Sequence, residues 1–187
     1  MGECELTITD RISWFRSEIL PRLGLKNAHI NMLVEWGFFT APASRKYRGT
    51  HAGALFDHSK SVMELLLEWT EAGFFKWQRE RSPYVVGMLH DLCKSDAYTA
   101  IYDEGDSKTV KEYVHNEELL LAGHGAKSVL MASQLLTLTE EEVLCIRYHM
   151  GAYETEEWRL FDAAMRKYDT VLWTHHADNY SAKIKLT

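Results

Sequence analysis

The chain has 187 residues, 46% of them hydrophobic and 26% charged, close to the average of a globular domain. One core of this size can bury roughly 70% of the unfolded surface, which excludes a disordered chain and a mini-protein dependent on staples. With 21 basic residues against 27 acidic ones the net charge is −6, which argues against a protein that coats nucleic acid, so no stable duplex binding is expected.

Cys4, Cys93 and Cys145 are scattered, without a CxxC pair. An odd, sparse set makes no disulfide framework, so a reducing, cytoplasmic setting is expected. The opening residues MGECELTITDRISW carry acids and no apolar run, so no signal peptide is expected there. Nor does any stretch approach the ~18 apolar residues of a membrane span.

Ile12, Phe15, Ile19 and Leu23 recur at helical spacing, and Gly24 follows as a stop. Residues 28–36 read as a second helix ending at Gly37. The stretch TAPASRKYRGTHAG, 40–53, is loop. A strong helix follows over 54–72, with Leu55, Val62, Leu65, Leu66 and Trp69 as its stripe. Ser82-Pro83 opens a helix over 83–93, with serine as cap and proline in the first turn. Residues 97–115 break the helical pattern and read as a hairpin turning at 103–106. Helices resume over 118–136, 139–149 (capped by Thr139), 155–167 and 169–184. The expectation is one mainly α domain with a hairpin insert.

The chain holds nine histidines, and their positions carry the functional signal. His58 falls in register with the stripe of helix 54–72, so it points into the core. His90 and Asp91 end the apolar run Val85–Leu89. Neighbours on a helix diverge by about 100°, so both reach one ion only if it sits between them near the helix end. Asp178 lies one turn after His175, and a bare carboxylate is costly to bury unless paired or metal-bound. Three helices thus present imidazole or carboxylate inward. Such a mixed set suits Mn, Fe, Ni, Zn, Co or Mg, with water completing the shell.

These residues carry a resemblance. GALFDHSKSV (53–62), GMLHDLCKSD (87–96) and HHADNYSAK (175–183) resemble the first-histidine helix, the G-x-L-H-D-x-x-K signature and the A-D-x-x-S-A helix of the HD superfamily of metal-dependent phosphohydrolases. The likeness spans about 48–183, with 1–47 expected to pack on that core as N-terminal helices. It implies an all-α HD-domain bundle with a small β-hairpin insert, and ligand roles for His58, His90, Asp91 and Asp178. Ala122–Gly125 and Ile146–Gly151 resemble the extra motifs of two-metal members, which implies His124 and His149 as further ligands and Asp91 as bridge. The pattern is most similar to the HD module of a bacterial 3′–5′ exoribonuclease, including the run Tyr47, Gly49, His51, Gly53, Leu55 before the first helix. Two features depart from it. Met150 stands where that module has a second histidine, so the resemblance implies one ion or two. No separate nucleic-acid-binding module is expected within these 187 residues.

Asp91 is the expected catalytic carboxylate, bridging metals or orienting the attacking water. Lys94 offers a charge to a phosphate oxygen, or only complements a helix C-terminus. Arg45, Lys46 and Arg48 form a basic loop that holds a polyanion or is simply solvated. His51 donates to phosphate or caps the loop. His175 lines the pocket or supports a ligand from behind, and Tyr180 borders the site. His29 and His115 read as surface residues without partners. The expected function is metal-dependent hydrolysis of a phosphoester in a nucleotide or short oligonucleotide. A di-iron oxygenase and a non-catalytic nucleotide sensor are the alternatives.

Overall fold

A computed structural model describes residues 6–45, 49–103, 105–121, 123–152 and 155–185. It is mostly helical with a two-stranded antiparallel sheet, as the periodicity predicts. The helices are α1 (Ile8–Trp14), α2 (Leu20–Leu23), α3 (Asn27–Trp36), α4 (Ala54–Glu71), α5 (Ser82–Leu89), α6 (His124–Leu135), α7 (Glu140–Tyr148), α8 (Thr155–Lys167) and α9 (Thr170–Tyr180). The strands are β1 (Tyr98–Asp103) and β2 (Asp106–His115). No described helix is long and apolar enough to cross a membrane.

The helix starts follow local chemistry. Thr7 and Asp10 form a capping box at α1, and Thr139 and Glu142 form another at α7. Ser82 is not the cap of α5. It is the first helical residue, and its hydroxyl donates to buried Glu142 at 2.8 Å. The next helix begins at His124 rather than 118, because the Asn116 side chain accepts from the Glu118 N–H in a local turn. His29 is not without a partner: its Nδ1 accepts from the Lys26 N–H at the start of α3. The His115 ring leans on Tyr98, its cross-strand partner.

Buried Phe15, Phe38, Phe39 and Phe56 meet mainly edge to face, with centroids 5.2–6.3 Å apart. They join the N-terminal helices to α4. Buried Arg11 adds a bidentate pair with Asp57, Nε to Oδ1 at 3.0 Å and Nη2 to Oδ2 at 2.6 Å. That pair fixes the first turn of α4 immediately before His58. α4 packs on α5 and α9, and α7 packs on α5, α6 and α9. A Cβ on Gly87 would lie 2.4 Å from the Met63 Cα, so only glycine lets α5 approach α4 this closely. The same approach brings the end of α5 beside His58.

In the hairpin, Tyr98 pairs with His115, Ala100 with Tyr113 and Ile101 with Glu112. The pairing then slips, so that Tyr102 faces Val110 and Lys111 has no residue opposite, a bulge that bends the ribbon.

Candidate metal centre

Four ligand-type side chains converge inside the helical shell. His58 comes from α4, His90 and Asp91 from the turn after α5, and Asp178 from α9. One ligand atom from each lies within 4.8 Å of all the others, and all four residues are buried. The His58 Nε2 is 3.0 Å from Asp178 Oδ1, 3.4 Å from His90 Nε2 and 3.6 Å from Asp91 Oδ2. His90 Nε2 is 3.7 Å from both Asp91 Oδ2 and Asp178 Oδ1.

These separations fit the donor set to a cation. Donors about 2.1 Å from one ion stand ~3.0 Å apart at right angles and ~3.4 Å apart at tetrahedral angles. The orientation of the rings adds a chemical reason. His90 Nδ1 donates to the Gly87 carbonyl at 2.9 Å, which commits that proton and turns Nε2 towards the other three ligands. A carbonyl therefore sets the ring as metal sites commonly set their histidines. His58 Nδ1 meets the Ser181 hydroxyl at 3.1 Å, which leaves its Nε2 facing Asp178. Two Nε2 atoms and two carboxylates aimed at one another repel unless a positive charge, proton or metal ion, lies between them.

The carboxylates have the electrostatics this implies. Burial alone would raise the pKa of Asp91, but Lys94, His90 and His149 around it hold it well below the usual carboxylate range. Burial opposes ionisation of Asp178 too, and the His58 ring 3.0 Å away, with His90 and His149 beyond it, holds its carboxyl well below the usual range. Burial would likewise discharge Lys94, yet Asp91 and Asp178 keep its ammonium charged, with Nζ 2.6 Å from Asp91 Oδ2.

Asp91 faces two ways. Oδ2 points to His58, His90 and Lys94, while Oδ1 lies 3.2 Å from the Nε2 of buried His149. His149 is set as His90 is, its Nδ1 donating to the Ile146 carbonyl at 2.8 Å. Its backbone carbonyl in turn accepts from His175 Nδ1 at 2.7 Å. His175 therefore sits behind His149, and Asn179 donates to the His175 carbonyl one turn on. His124, at the start of α6, is exposed. Its Nδ1 meets the Cys93 thiol at 3.6 Å, and desolvation of the ring on that side lowers its pKa against the pull of Asp91.

The remaining expected residues lie further out. His51 is exposed and meets Asp57 at 3.3 Å. Arg45 is half-buried beside the hairpin cleft, and Arg48, like Lys46, lies outside the described residues. The Tyr180 ring packs edge-on against Trp69. Ser181, Cys93 and Tyr98 carried no functional reading in the sequence. Ser181 stood within the quoted HHADNYSAK segment, and its place one turn after Asp178 was the available signal. Tyr98 gave no signal, because its position depends on how the hairpin folds back. No family model, no curated protein and no solved structure matches the chain.

Proposed function

We propose that the protein is a metal-dependent phosphohydrolase of the HD type, cleaving a phosphoester of a nucleotide or short oligonucleotide. The observation that carries this reading is the buried convergence of His58, His90, Asp91 and Asp178 with charged Lys94 at its edge. These four residues would hold one divalent ion. Asp91 Oδ1, with His149 and His124 beyond it, would serve a second. A bound divalent ion supplies hydroxide near neutral pH and polarises a phosphoryl oxygen. Lys94 draws a phosphate oxygen towards Asp91 and balances its charge. His175 holds the backbone at His149, so that ring keeps its aim. Free, buried Cys93 and Cys145 support a reducing, cytoplasmic setting within the same reading.

The test is a panel of nucleotides, short oligonucleotides and p-nitrophenyl esters, each with Mn, Fe, Ni, Zn, Co or Mg. Phosphoester cleavage is expected with at least one metal, to be lost with chelator and restored by that metal. An intact panel overturns the reading. Oxygen consumption in its place identifies an oxygenase, and nucleotide binding without turnover identifies a sensor.

A further inference from the structure

A surface helix ordinarily turns polar residues to solvent. α9 does not. Leu172, His176, Tyr180 and Ile184 repeat at four-residue spacing along α9 and the turn that follows it, and each is exposed, Ile184 by 56%. At the helical rise this stripe is about 18 Å long. An unbroken row of rings runs beside it. Phe74, 58% exposed, stacks on Trp173 with centroids 5.4 Å apart. Trp173 meets Trp69 edge-on at 5.7 Å, and Trp69 meets Tyr180 at 6.3 Å. Asp178 leaves the same helix on its buried side, so this face is separate from the metal centre. A contiguous apolar patch of this kind marks an interaction surface.

The charges around the patch select its partner. α9 runs antiparallel to α4: His58, near the start of α4, meets Asp178 and Ser181, while Trp69, near its end, meets Trp173. The end of the patch at Phe74 is acidic. Exposed Glu68 and Glu71 close α4 and exposed Asp169 precedes α9, with Lys76 after Phe75 offsetting one of them. Arg166 and Lys167 are already paired with Asp162 and Glu140, at 2.9 and 2.6 Å. The end at Ile184 is basic. Exposed Lys183 and Lys185 flank it, and the two residues that follow bring no charged side chain. Glu64, on α4, pairs with Lys60 at 3.7 Å. A surface acidic at one end and basic at the other is complementary to itself when turned end for end, as an isologous two-fold contact requires. Nucleic acid or an anionic lipid surface would instead meet the carboxylates of Glu68 and Glu71.

We propose that this face docks a second copy of the chain, with α9 antiparallel to α9 across a two-fold axis between His176 and Tyr180. In that register Ile184 of one copy lies on Leu172 of the other, and the lysine end of each copy lies over the acidic end of its partner. The contact braces the helix that carries Asp178, and it does not depend on the phosphohydrolase reading.

The test is sedimentation equilibrium on the full-length protein at micromolar concentrations. The expected mass is twice the 21.6 kDa of one chain. Leu172→Glu and Tyr180→Glu, both at exposed positions, are each expected to weaken association at least about tenfold. Reversing the acidic end (Glu68→Lys with Glu71→Lys) or the basic end (Lys183→Glu with Lys185→Glu) is expected to weaken it about tenfold at low salt, and combining both reversals in one chain to restore it. Far-UV circular dichroism identifies any variant that has lost its fold. A monomer at every concentration overturns the proposal, and flotation of that monomer with phosphatidylcholine vesicles would assign the face to lipid instead. A dimer unchanged by both folded glutamate variants overturns this face as its interface. Failure of the combined reversal to restore the dimer overturns the antiparallel arrangement.

Discussion

Replacing Asp91 by asparagine is expected to lower phosphoester hydrolysis roughly 10³-fold while the protein stays folded. The side chain is fully buried and central: Lys94 lies 2.6 Å from one oxygen, and His149 3.2 Å from the other. Asparagine keeps the shape and one oxygen but removes the charge that ties the two sides of the centre together. It also leaves the Lys94 ammonium with only Asp178 as a nearby anion. Removing one partner of a buried pair costs about 3–5 kcal/mol when nothing replaces it, and the retained carbonyl and Asp178 reduce that cost here. Melting should therefore shift modestly while activity collapses. Activity within tenfold of the unmodified protein, at equal metal content, would contradict the role given to Asp91.

Phe56→Ala is expected to reduce stability by about 3–5 kcal/mol. Phe56 is fully buried on α4, two residues before His58, and touches Trp14, Phe38 and Phe39 with centroids 5.5–5.8 Å apart. Alanine leaves a cavity bounded by three rings from two segments, Trp14 on one side and Phe38 and Phe39 on the other, which cannot all move to close it. For a chain of this length the melting temperature should fall by roughly 10 °C. Differential scanning calorimetry reads the change, and a fall below about 3 °C would mean that the aromatic cluster contributes little. Metal content at low temperature should persist, because the ligands face the opposite side of the packing.

The two effects show which parts of the molecule were legible in its sequence. His58 could be read because its register with Leu55, Val62 and Leu65 places an imidazole on an apolar face, and the structure buries it there. His90 and Asp91 could be read because they end an apolar run. The chain turns from α5 into a short 3₁₀ segment at Leu92–Lys94, which is how adjacent residues turn towards one centre. The partners of these rings were not legible. The carbonyls of Gly87 and Ile146 are backbone groups, present at every position and informative only once the helices have folded.

Some polar residues misled for a related reason. Ser82 resembles a helix cap in sequence, but a buried acid from α7 takes its hydroxyl. The stretch before His124 has helical composition, yet Leu120 is fully exposed and the local Asn116 turn wins. Buried Lys127 gave no sequence signal, since its ion pair with Asp96 joins residues from separate segments. The hairpin cleft is hidden in the same way: Arg45 and Lys111 meet across one space only because the ribbon folds back over the loop.

The most direct measurement is anomalous diffraction from crystals of the protein soaked in Mn²⁺ or Zn²⁺. A peak is expected within about 2.0–2.3 Å of the Nε2 atoms of His58 and His90 and of carboxylate oxygens of Asp91 and Asp178. The peak should vanish in the Asp178→Ala variant. Clear density for all four side chains with no peak among them, at metal concentrations that saturate ordinary mixed histidine–carboxylate sites, would contradict the metal centre and the chemistry built on it.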